Sequence, residues 1–236
     1  MTVAGHRKGS RLSRRTPFSF ACTRCRRCCH DKIIRLNPYE TARLSRNLGM
    51  STTRFLRDHT EAGGTAIRRN PDGTCPFLSA RGCSVHPDRP LVCRLYPLGR
   101  HVSGDGIESF SRSILEPGCE GVLGRKGSVK GYLDSQGAGP FIDAVDRYLA
   151  LSGRMIRELV RRSKKYAGAA ERIAADCVEP RPDSAVSRPG WLDMDPVVRN
   201  YCSTRGLPVP DDPEGKMALH ILAVDEMLAN PQPRRR

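Results

Sequence analysis

The sequence predicts a mainly α single domain with irregular cysteine-rich loops and a small β-hairpin, stapled by metal. Three observations predict it. Eight of the ten cysteines fall between Cys22 and Cys119, in a stretch crowded with Gly, Pro and turn residues. The segments on either side carry apolar residues at helical spacing. Ser103-Gly104-Asp105-Gly106 sits between Val102 and Ile107–Ser111, which reads as a hairpin. The chain has 236 residues, enough for one domain with an appended module. No apolar run nears the ~18 residues of a membrane span, so no membrane partner is expected.

The elements follow in chain order. Residues 1–17 read as a basic flexible tail. Residues 18–175 read as the cysteine-cluster domain, and 176–236 as a proline-rich linker with short C-terminal helices. Phe18 and Phe20 alternate with small residues just before the first cysteines, and Ile33 and Leu36 suggest an extended piece. Asn37-Pro38-Tyr39-Glu40 is a helix start. Asn37 can cap, Pro38 suits the first turn and Glu40 completes a capping box. That helix runs to Leu48 and stops at Gly49. A second starts at Ser51 or Thr52, runs through Phe55, Leu56 and His59, and ends before Gly63-Gly64. Ala66–Arg68 suits a strand. Residues 141–175 are the clearest helical stretch, with Pro140 in the first turn and Gly153 as a break. Two helices follow, over Asp195–Cys202 and Glu214–Leu228. Asp193 and Asp195 are read as a cap and a solvated acid ahead of a divalent-ion site.

The charge is lopsided. The formal net charge is +15, and residues 1–60 alone hold 14 Arg plus Lys against 3 Asp plus Glu. Such a surface attracts polyanions, so residues 1–60 are a candidate contact for nucleic acid. Of the 40 basic residues 33 are Arg, which composition alone also explains. The N-terminus is basic, but no apolar stretch of signal-peptide type follows it. A cytoplasmic, reducing location is therefore expected, and the cysteines call for metal before disulfides.

The central motif is Cys22-x2-Cys25-x2-Cys28-Cys29. Cysteines two apart turn both thiolates to one side, where a single ion takes them. The Cys22, Cys25, Cys28 spacing also suits an iron–sulfur triplet whose fourth ligand lies far off in sequence. Cys75, Cys83, Cys93 and Cys119 bring the set to eight, enough for two tetrathiolate sites. Cys177 and Cys202 lie on expected helices and read as small buried residues. His86 is the first nitrogen candidate and His30 the second. His59 reads as a helix residue.

These residues resemble a known family. Cys22–Cys29, Cys75-Pro76-Phe77-Leu78, Cys83-Ser84-Val85-His86-x2-Arg89-Pro90-x2-Cys93-Arg94-x-Tyr96-Pro97 and Cys119 look like the YkgJ-type cysteine cluster proteins, described as zinc- or iron-chelating. The resemblance spans residues 18 to 160. It implies a zinc or iron cofactor, with an iron–sulfur cluster as the alternative form. The core also resembles part of a flagellin lysine N-methylase. One departure stands out: the family often has Gly after its second cysteine, and this chain has Arg26. Around the ligands, Arg94 and Arg89 are candidates for offsetting thiolate charge or for bonding loop carbonyls. Tyr96 reads as a core ring with its hydroxyl tied.

No dinucleotide-binding glycine motif, phosphate-binding loop or hydrolytic triad is written in the chain. Three functions therefore stay open: a metal-binding protein, a metal- or iron–sulfur-dependent protein-modifying enzyme such as a methyl-transfer enzyme, and a zinc-stapled module for nucleic acid or a protein partner.

Overall fold

A computed structural model describes residues 11–162 and 190–230. Helix dominates, as expected, but the expected single domain divides into two compact units. The first holds residues 11–34 and 69–139. The second holds residues 35–68, 140–162 and 190–230. The expected linker and Cys177 lie largely or wholly outside the described residues. No described helix is long and apolar enough to cross a membrane.

The first unit is built from small antiparallel pieces. β1 (Pro17–Ala21) pairs with β8 (Val122–Ser128), with Ser19 opposite Gly124, Ala21 opposite Val122 and an irregularity between Pro17 and Ser19. The Val-Leu-Gly-Arg-Lys-Gly-Ser sequence of β8 gives no strand signal, and the ribbon is absent from the sequence-based expectation. α4 (Val129–Ser135) continues from it, capped by the Ser128 hydroxyl, which accepts from Gly131 N–H. The Phe18 ring meets Tyr132 of α4 edge-on. β6 (Leu98–Val102) and β7 (Glu108–Arg112) form the expected hairpin. Leu12 adds to its edge, exchanging both backbone hydrogen bonds with Phe110, and Arg14 forks onto Glu108. Residues 11–16 are therefore bound, not part of a free tail. Two more pieces carry cysteines: the tiny hairpin of β4 (Leu78–Ser79) and β5 (Gly82–Cys83), and the one-turn helix α3 (Leu91–Leu95).

The second unit is helical. α1 (Pro38–Asn47) has the full capping box between Asn37 and Glu40. It ends in a Schellman turn: Gly49 is left-handed and Met50 N–H reaches Ser45 O. α2 (Thr52–His59) is capped by Ser51. β2 (Thr60–Glu61) and β3 (Ala66–Ile67) form a short hairpin after it. α5 (Gly139–Arg162) runs unbroken through Gly153, where a break was expected. α6 (Met194–Ser203) and α7 (Pro213–Ala229) complete the unit. Tyr39, Leu44, Phe55, Phe141, Leu151, Met194 and Val198 form its core. Asp193 takes the N-cap position of α6 but makes no side-chain cap bond there, and Asp195 is largely buried, so the expected cap and solvated acid are both replaced by packing contacts. Asp193 accepts from the Thr52 hydroxyl, and Asp195 from Thr52 N–H and Lys216. Cys202 is buried, its thiol directed at Pro208 O, as a small core residue would be.

His220 lies fully buried in this core. Its Nδ1 meets the Tyr148 hydroxyl at 3.0 Å and its Nε2 meets Trp191 O at 2.7 Å. Burial pushes its pKa down from 6.5 to about 4. The neutral form is thus built into the fold, and its contribution is present above pH ~6.5 and lost as pH falls through ~4. The cost of charging it is up to about 3 kcal/mol. Urea unfolding of wild type and His220→Gln at pH 7 and pH 4 should show a smaller acid-induced loss in the variant. Equal losses would show that another group carries the acid sensitivity.

Candidate metal centre

All eight cysteines of the expected set lie in the first unit. A short backbone bridge joins the first cluster to the second. His30 pairs with Thr74, Cys75 N–H reaches Cys29 O at 2.9 Å, and Asp31 N–H reaches Gly73 O at 3.0 Å. Gly73 is required there, because it has φ +80° and a Cβ would collide with the Asp31 carboxylate. The loop bearing Cys119 is tied down separately. Glu116 N–H donates to the Tyr96 hydroxyl at 3.0 Å, and Lys32 pairs with the Glu116 carboxylate. Gly118 gives Arg27 room to lie against the loop, and Gly121 lies directly against the Phe20 ring.

The sulfurs share a local pattern. Cys22 Sγ accepts Arg24 N–H at 3.4 Å. Cys25 Sγ accepts Arg27 N–H, and also Glu120 N–H from the Cys119 loop. Cys75 accepts from Phe77 N–H, and Cys83 from Val85 N–H. Four cysteines therefore take the amide two residues on, a turn that favours thiolate over thiol. Those amides lower the Cys25 pKa. At Cys75 and Cys83 burial outweighs them and pushes the thiols up.

Two thiol pairs stand in hydrogen-bond contact. Cys29 donates to Cys28, which brings the Cys28 pKa down to about 7 and pushes Cys29 up. Cys119 pairs with Cys25 and with the Tyr96 hydroxyl. Burial, with Cys119 adding to it, takes that hydroxyl up to about 12. Cys22 and Cys93 are exposed, and the other six are half-buried. None of the nine described cysteines forms a disulfide. Among the described residues, no three Cys, His, Asp or Glu side chains converge on one metal-sized point. The donor set still fits zinc or iron in chemistry: thiols in mutual contact, several already receiving amide hydrogen bonds.

The surrounding residues divide. Arg94 is buried and donates to the carbonyls of Arg89, Pro87 and Gln136, so it fastens loops. Arg89 bonds His86 O and Gln136 Oε1, and its charge favours the Cys83 thiolate. His86 is exposed, with Nδ1 3.2 Å from the Arg89 guanidinium. Burial and then that cation hold its pKa below 6.5. His30 faces Arg26 O at 3.2 Å. His59 falls in the second unit, where its ring packs on Phe55. Sequence reasoning missed the backbone donors at 24, 27, 77, 85 and 120. The two-residue offset after a cysteine was the available signal for four of them.

Arg26 resolves the departure from the family glycine. It is left-handed, with φ 66° and ψ 1°, and Arg24 beside it has φ 60°. An L-residue carries a penalty there that glycine escapes.

Residues 21–119 match the family model CxxCxxCC, described as "Putative zinc- or iron-chelating domain". The matched stretch runs from the residue before Cys22 to Cys119, and so includes all eight cysteines. It is shorter than the expected 18 to 160. No curated protein and no solved structure matches the chain, and the flagellin methylase resemblance gains no support.

Arg26→Gly relieves the left-handed strain and gives back part of it as glycine's extra chain entropy. A net gain of about 0.5–1 kcal/mol is expected. Thermal melting should rise while metal content stays the same. A lower melting temperature would mean that the Arg26 side chain, which reaches Ala80 O at 3.2 Å, outweighs its backbone.

Proposed function

We propose that this chain, whose residues 21–119 carry the CxxCxxCC domain, binds zinc or iron through the thiolates of Cys22, Cys25, Cys28, Cys29, Cys75, Cys83, Cys93 and Cys119. The observation that carries the reading is the repeated amide-to-sulfur turn at Cys22, Cys25, Cys75 and Cys83. Ordinary buried thiols have no need of four such turns within one unit.

The fold supports it as well. The first unit has only two-stranded pieces and one-to-two-turn helices, and such elements are marginal alone. Cross-links between the 22–29, 75–83, 93 and 119 segments would hold them together. Bound zinc would supply that cross-linking, and iron, alone or with sulfide, would add one-electron chemistry. The chain's own part is to hold the thiolates. Amides at 24, 27, 77, 85 and 120 donate to sulfur, Arg89 offsets charge at Cys83, and the Tyr96 hydroxyl fixes Cys119.

Metal and acid-labile sulfide per chain, on anaerobically purified protein, test the proposal. Cys25→Ser and Cys93→Ser should each lower metal content and melting temperature, whereas Cys202→Ser should leave metal content alone. Stripping with a chelator should lower the melting temperature of the wild type. Metal-free protein with unchanged melting in both ligand variants would sink the assignment. Matching iron and sulfide would select a cluster; zinc without sulfide would select a structural site.

A further inference from the structure

Seven of the sixteen described Arg and Lys side chains of the first unit are engaged, Arg26, Arg89 and Arg94 among them. Arg14 and Arg100 meet Glu108, Lys32 meets Glu116 and Lys130 meets Asp134. Nine exposed ones make no hydrogen bond through their side chains and no ion pair among the described residues, and six of these, Arg15, Arg24, Arg27, Arg81, Arg125 and Lys126, lie on or beside the β1–β8 ribbon, whereas Arg11, Arg69 and Arg112 lie elsewhere in the unit. Arg125 and Lys126 lie on the ribbon itself, and Arg15, Arg24 and Arg27 flank β1 in sequence. Arg15 lies at one end, between Arg14 and Thr16, whose carbonyls accept from Lys130 and Val129. Arg125 and Lys126 stand at the irregularity opposite Phe18. At the other end Ala21 opens into the cysteine loop, with Arg24 and Arg27. Arg81 joins that end, because Ala80 beside it receives the Arg26 guanidinium. From Pro17 to Ala21 the ribbon is roughly 16 Å long. Glu120 is an exposed acid near the cysteine end.

We propose that this ribbon binds the phosphate backbone of single-stranded nucleic acid. Unpaired cations on the ribbon and at both of its ends match a ligand with one charge per nucleotide, and each neutralised phosphate releases counterions. Phe18 is buried and Phe20 half-buried, so the ribbon offers no exposed ring to stack on a base. Binding is therefore indifferent to base sequence. An acidic polypeptide would gain less, because no pocket on the ribbon reads side chains between the charges. The inference does not rest on the metal reading.

Fluorescence anisotropy of the full chain with a ~20-nucleotide mixed-sequence oligonucleotide, between about 50 and 200 mM salt, tests it. Six phosphate contacts give a log–log salt slope of about −4, at about −0.7 per contact. Arg125→Ser/Lys126→Ser should flatten the slope by about 1.4, and Arg24→Asn/Arg81→Ser by the same amount. Asn is chosen at 24 because it tolerates the left-handed backbone. Metal content measured on the same samples should not change. The Arg125/Lys126 variant, remote from the cysteine turns, decides the matter alone if the other loses metal. An unchanged slope in that variant would overturn the proposal. So would loss of binding on trimming residues 1–10 with the ribbon intact, or equal competition by polyglutamate.

Discussion

The first unit depends on three backbone contacts between residues 29–31 and 73–75. They place Cys75 beside Cys28 and Cys29 although the intervening chain includes residues 35–68, which fold into another unit. Closing so long a loop costs entropy that two amide hydrogen bonds offset only in part. The contact can form only because Gly73 leaves space for Asp31. Everything further along is set by that junction. Cys83 follows Cys75 through the β4–β5 hairpin, with Leu78 opposite Cys83, and α3 then presents Cys93.

Once the segments are together, charge is the next constraint. The Cys29 thiol donates to Cys28, which is why Cys29 is driven up while Cys28 falls, and burial and then the charge of neighbouring thiolates push Cys29 up further. Amides aimed at sulfur relieve this without adding a formal charge. Producing them requires tight turns, and the left-handed Arg24 and Arg26 carry the strain of two of these. The arginines do separate things. Arg94 spends its guanidinium on carbonyls, Arg89 turns toward Cys83, and Arg24 contributes its backbone amide while its side chain stays free among the described residues.

Local signals in the sequence were read well. The Asn37–Glu40 capping box, the Ser51 cap and the Ser103–Gly106 hairpin all involve residues within a few positions of each other, and all appear in the structure. Non-local pairings were not legible. β8 has glycine and basic residues where a strand favours β-branched ones, and its partner lies a hundred residues upstream, so nothing local marks the ribbon. Gly153 misled for the converse reason. Within a long helix, neighbouring turns carry a single glycine at about 1 kcal/mol, and α5 continues. The cysteines were legible as a set, since spacing alone groups them. Their turns were legible only as the two-residue offset after a cysteine, and the Glu120 amide, which comes from another loop, left no local sign.

The positive charge and the thiol cluster do not cancel each other. Eight thiolates holding two dications would remove eight charges and restore four, so a net charge of +15 would fall only to +11. Arg24 and Arg27 stay beside the cysteines, but part of the remainder lies away from sulfur. Arg125 and Lys126 flank the irregular part of the ribbon opposite Phe18, and Arg15 lies beyond it, each several residues from Cys22 along the strands. At ~0.15 M salt, exposed charges more than about 8 Å apart are largely screened from one another. Those cations therefore do little for the thiolates, and their charge stays available to an external anion. Glu108, by contrast, shows what neutralisation looks like in this unit: two arginines converge on one half-buried carboxylate and hold it below its ordinary pKa against the cost of burial.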